Sequence, residues 1–175
     1  MWLIWYILLF MHNLLFLNKW NQNAHSNSAR PLDTDIKTFA MITIPENVKL
    51  IDWPNATMWF DEDGVLYSIP KTGVPQPKLT REEGEREMEK FRQLLGNQKR
   101  CMILQTDNTA APPNKEERDW AAKELDSVTK AMGIISTSPL SRMVANLFFG
   151  LKPPAYPVKF FSDAIEAKNW IKQYL

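Results

Sequence analysis

Residues 133–175 read GIISTSPLSRMVANLFFGLKPPAYPVKFFSDAIEAKNWIKQYL, a strand, a helix, a strand and a helix with almost no spare residues. Ser138 and Pro139 mark a helix start. Leu140, Met143, Val144, Leu147, Phe148 and Leu151 then recur at i, i+3, i+4, i+7, i+8 and i+11, the spacing of one apolar helix face. Gly150 and the pair Pro153-Pro154 stop that helix. Val158 to Phe161 is a short β-prone run, and Asp163 with Glu166 three residues later starts the last helix as a capping box.

Upstream the same alternation holds. Ala56 to Phe60 and Val65 to Ile69 flank Asp61-Glu62-Asp63-Gly64, and Asp-Gly between two β-prone runs predicts a hairpin. A calcium loop starting at Asp61 would need a closing Glu at its twelfth position, which is Thr72. Lys71 to Lys78 is a linker. Thr80 with Glu83 caps a helix whose inward stripe is Gly84, Met88, Phe91 and Leu95, its charged residues forming a solvated face. Cys101 to Gln105 is a strand. After the loop 106–113, Asn114 with Glu117 caps a helix with inner face Ala121, Leu125, Val128 and Met132, and Gly133 to Ser136 is the next strand. Strands alternating with helices predict a single α/β domain, its mixed, mostly parallel sheet of about five strands carrying about four helices.

The chain has 175 residues, 45% hydrophobic and 23% charged, which are ordinary globular values. Three basic and two acidic side chains fall in residues 1–40, leaving 18 of each sign beyond them. A neutral domain has no electrostatic footprint for nucleic acid, so none is expected as a partner. One cysteine, Cys101, excludes an intramolecular disulfide and reads as a buried strand residue. Residues 1–40 are an apolar run through Leu17 and then an Asn/Ser-rich stretch. Three readings stay open for them: a translation start at Met41, a signal or membrane anchor, or an ordered helix. Localisation is expected to be cytoplasmic, or membrane-anchored or exported if residues 1–20 are translated; membrane contact is expected only through residues 1–20. The domain proper is 41–175.

Absences limit the chemistry. Both histidines, His12 and His25, precede the domain, so no Ser-His-Asp or Cys-His constellation and no His/Cys zinc site fits within it. The six glycines are too scattered for a phosphate-cradling loop. A Ser-Lys or carboxylate mechanism stays formally open, but the carboxylates mostly occupy caps and solvated faces, and the domain is expected to be non-catalytic and to need no cofactor. What remains is the edge where strands hand over to helices: Thr106, Asp107, Asn108 and Thr109 after one strand, Ser136, Thr137 and Ser138 after the next. Helix N-termini there favour anions, although the same residue types also serve as plain turn and cap residues. Opposite the apolar stripe of residues 140–151, Arg142, Asn146 and Phe149 fall at i, i+4 and i+7. They either face a partner or ligand, or Phe149 tucks under Pro153 to Tyr156.

The segments RMVANLFFGLKPPAYPVKFFSD, NKEERDWAAKEL and TMWFDEDGVLYSIP resemble the SpoIIAA-like branch of the STAS/SEC14 (CRAL-TRIO) families, over roughly residues 41–175. The resemblance implies a STAS-like α/β sandwich. STAS antagonists of anti-sigma factors carry a phosphorylated Ser in an Asp-Ser-Ser-Gly-Leu-like motif. The corresponding stretch here, Gln105 to Thr109, lacks it, leaving Thr106 and Thr109 as the hydroxyls in its place. The resemblance thus implies a regulatory, protein-binding module, or, through SEC14-type relatives, a carrier of a small apolar ligand or lipid.

Overall fold

The computed structural model describes residues 42–71, 73–74, 80–106, 115–136, 138–151 and 153–175. The proposed leader, the linker 75–79 and the loop 107–114 lie outside the described residues. The elements in chain order are β1 (Ile51–Trp53), β2 (Ala56–Phe60), β3 (Leu66–Pro70), α1 (Arg81–Leu94), β4 (Arg100–Gln105), α2 (Lys115–Val128), β5 (Thr129–Ile135), α3 (Pro139–Leu151), β6 (Val158–Phe161) and α4 (Ala164–Ile171), closed by a 3₁₀ turn, Lys172–Tyr174. The described residues thus form one α/β unit with a mixed, mostly parallel sheet, as the alternation predicts.

The strands lie in the order in which the chain makes them, β1 to β6. The first three are antiparallel neighbours, and β3 to β6 run parallel. Right-handed crossovers between successive parallel strands all pass over the same face when the order never reverses. Accordingly Met88 and Phe91 of α1, Leu125 and Val128 of α2 and Ala145 of α3 share one core with Met58, Leu66, Met102, Leu104, Met132, Ile134 and Phe160. The opposite face is covered by α4, through Ala167 and Ile171, and by Ile42, against Trp59, Val65, Cys101, Ile103, Ile135 and Phe161. Alternate residues of each central strand feed the two cores, and both faces of β4 and β5 are buried.

Local chemistry sets the boundaries. Thr80 and Glu83 form the reciprocal capping box. At α4 the box is half made: Asp163 accepts from Glu166 N at 2.9 Å, while the Glu166 carboxylate is taken by Ser162 Oγ at 3.1 Å. In the β2–β3 turn, Asp61 Oδ1 accepts from the amides of Asp63 and Val65, and Gly64 supplies the positive φ of 73° that this turn requires.

Two expectations are corrected. A sixth strand, β1, pairs with β2 across a Pro54-Asn55 turn, Trp53 opposite Ala56. Three residues, two half-buried about an exposed Asp52, carry too little periodicity to announce a strand. Met132 belongs to β5, not to α2, because β5 begins at Thr129 with no intervening loop. Leu125, Val128 and Met132 fit a helical spacing, but the ladder to β4, with Met102 opposite Met132, fixes the last of them as strand.

At Gly133, β5 packs tightly against α4: a Cβ there would stand 3.2 Å from Ala167 Cβ. Gly133→Val is expected to lower the urea midpoint by an amount equivalent to about 1–3 kcal/mol, through overpacking. An unchanged midpoint would show that α4 is free to shift off the sheet.

Candidate functional site

Helix α3 turns Arg142, Asn146 and Phe149 toward the sheet and leaves Met143 and Leu147 exposed. Asn146 pairs its side-chain amide with the backbone of β6: Phe160 N donates to Oδ1 at 2.8 Å, and Nδ2 donates to Phe160 O at 3.1 Å. One turn on, Phe149 stacks on Phe160 with ring centroids 5.8 Å apart. One turn back, Arg142 Nη1 donates to Ser136 O at 2.5 Å. The three residues expected on the outer face are therefore the ones that bind α3 to the sheet. Two residues of the expected core stripe, Met143 and Leu147, are 64% and 65% exposed.

The cause is the edge of the sheet. Met132 N bonds to Pro157 O and Ser136 N to Phe161 O, so Pro157 and Phe161 turn their carbonyls toward β5 and the intervening Phe160 turns its backbone outward. Those outward groups need partners when a helix covers them. An asparagine amide, with one donor and one acceptor side by side, supplies both. The compensating loss is that Met143 and Leu147 remain in water, each forgoing about 1.5–3 kcal/mol of burial.

The remaining predicted residues separate into two places. Thr106, Ser136 and Ser138 come together with Arg142 at the carboxyl ends of β4 and β5. Thr106 N donates to Ile135 O at 3.1 Å, and Ser138 O accepts from Arg142 N. Thr106 and Ser136 are buried there, and Ser136 Oγ has no hydrogen-bond partner. Asp107, Asn108, Thr109 and Thr137 lie outside the described residues. Because the strand order never reverses, the sheet has no switch point at which such an edge opens into a crevice. Asn146 and Phe149 sit farther along α3, against β6.

A cluster that the sequence pattern assigned only to a turn is electrostatically the most organised. Lys168 of α4 reaches across the sheet edge to Asp61, and its Nζ lies 2.6 Å from Asp63 Oδ2. Burial works against the Lys168 charge, but the two carboxylates outweigh it and raise the ammonium pKa. The same contact holds Asp63 below the usual carboxylate range. Burial, aided by Asp61, pushes Tyr67, stacked on Trp59, up to about 12. Cys101 is buried against Tyr174 O, and burial raises its thiol. Among the described residues, no three His, Cys, Asp or Glu side chains stand close enough to hold a metal. Nor is any described helix long and apolar enough to cross a membrane.

Residues 58–175 match the family described as a domain of unknown function, DUF7793. The chain belongs to this family. No curated protein matches it. A solved structure from Arthrobacter sp. FB24, described as a protein with unknown function, is 24% identical over 66% of this chain and 92% of that one, with a TM-score of 0.21. The resemblance to STAS, SpoIIAA-like and SEC14 proteins is thereby corrected. The matched family carries none of those descriptions. The segments that suggested it encode amphipathic helices and buried strands that many α/β domains share, and the phospho-acceptor motif was already missing.

Two expected outcomes test the site. Asn146→Leu leaves the Phe160 amide and carbonyl without partners and should cost about 1–3 kcal/mol in chemical denaturation, with Asn146→Asp intermediate because one acceptor survives. A melt no less stable for Asn146→Leu would show that the pairing does not hold α3. For the Lys168 clasp, a lowered Asp63 pKa contributes stability above its unfolded value that is lost as pH falls through the folded one. The raised Lys168 pKa contributes stability below its unfolded value that is lost as pH rises through the folded one. Lys168→Met should flatten both limbs of the stability–pH profile, and an unchanged profile would rule the clasp out as their source.

Proposed function

We propose that the domain is a non-catalytic protein-interaction module that docks through the outward face of α3. The observation that carries this reading is the exposure of Met143 and Leu147, one turn apart, on a helix whose Arg142, Asn146 and Phe149 are spent inward. Isolated exposed apolar residues are ordinary on protein surfaces, but two adjacent ones above 60% on a single helix face are what an amphipathic helix presents to a groove. Of the strand-end residues, Thr106 and Ser136 are buried, and half-buried Ser138, at the start of that helix, would border the same contact. A carrier of a small apolar ligand would instead need α3 to lift from the sheet. The Asn146–Phe160 pair and the Phe149 stack oppose that movement and favour the interaction reading.

The test is a double variant, Met143→Lys with Leu147→Lys, in the full chain. Its thermal stability should stay within about 0.5 kcal/mol of the parent, since both side chains already face water. Proteins retained by the parent in affinity capture should be lost by the variant. Retention of the same set by both, or collapse of the variant's fold, would overturn the proposal.

A further inference from the structure

The outer edge of β6 opens into a groove of about 590 Å³. Phe149 of α3, with Pro153 and Pro154, lines it on one side, and Trp170 and Tyr174 line it on the other. Val158 and Lys159 of β6 form part of its floor. We propose that this groove binds an extended acidic peptide, which adds to the sheet as a seventh strand beside β6.

Backbone parity makes the edge available. Pro157 and Phe161 turn their carbonyls toward β5, so Val158 and Phe160 direct N–H and C=O outward. Asn146 occupies Phe160, and no described side chain bonds the outward groups of Val158. Asn146 therefore stands where an added strand would end, already making the pair of bonds that a neighbouring strand residue would make. A peptide laid against Val158 gains two main-chain bonds there, and its alternate side chains point to the two walls.

Charge selects the occupant. Lys159 is exposed on the floor, 5.4 Å from the Phe161 ring centroid, with no carboxylate partner among the described residues. A second copy pairing β6 with β6 about a two-fold at Lys159 would set that lysine opposite itself, which is unfavourable. An acidic side chain on the same face of an added strand meets Lys159, while its apolar neighbours meet Phe149 on the other wall. The Met143–Leu147 face takes no part, so this site stands or falls apart from the α3 docking surface.

The experiment uses the full chain and a fluorescent acetyl-Thr-Val-Glu-Val-Thr-amide peptide, followed by anisotropy. Saturable binding is expected, at least about ten-fold weaker when the peptide Glu is replaced by Lys and reversed in preference by Lys159→Glu. Val158→Pro removes the outward N–H at an edge position where proline is tolerated, and should abolish binding of both peptides. The Met143→Lys, Leu147→Lys variant should bind as the parent does. Equal binding of the two peptides, binding that survives Val158→Pro in a folded variant, or no saturable binding would overturn the proposal. So would a concentration-dependent dimer that buries β6, which would put a second copy in the groove. Should Val158→Pro fail to fold, the charge reversal at Lys159 decides alone.

Discussion

The outward backbone of Phe160 is the constraint from which the distinctive half of this molecule follows. A parallel sheet that ends in a short edge strand leaves alternate N–H and C=O groups facing away from the ladder, and a helix packed over them must answer them or strand them. Asn146 answers both, at 2.8 and 3.1 Å. Once that amide points down, helical geometry places Arg142 and Phe149, four residues back and three ahead, on the same side. It also turns Met143 and Leu147 to water. The orientation of α3 is thus set by these two hydrogen bonds at the expense of burying Met143 and Leu147.

This outcome reverses the usual ranking of effects, and the magnitudes explain why. Burying two more apolar side chains would contribute a few kcal/mol. Covering the edge with that stripe would leave a donor and an acceptor unpaired in a buried setting, at about 1–3 kcal/mol each, and would place an asparagine and an arginine on the outside without their partners. The two sums are close. A structure poised this way can keep an apolar surface exposed at little net cost.

The rest of the fold is conservative. Sequential strand order sends every crossover over one face, and among the described residues α4 and the segment at Ile42 cover the other, with α4 resting on Gly133. The same helix carries Lys168 to the β2–β3 turn, where two carboxylates that would otherwise repel are held by one ammonium. The acidic turn thus ties the β2–β3 hairpin to α4. That is why a cluster resembling a metal loop in composition is already satisfied by protein.

Much of the architecture was legible in one dimension. Capping residues at Thr80 and Asp163, the Asp-Gly hairpin and the alternation of β-prone and helical runs follow from local propensities that tertiary contacts did not override, so helix count and fold class could be read directly. What the chain alone could not reveal depends on neighbours distant in sequence. The strand identity of Met132 required its partner Met102, and the existence of β1 required β2. The face of α3 required Phe160, 14 residues away. Hydrophobic periodicity reports which residues share a side of a helix. Only the unpaired backbone of the strand beneath it determined which side faces in.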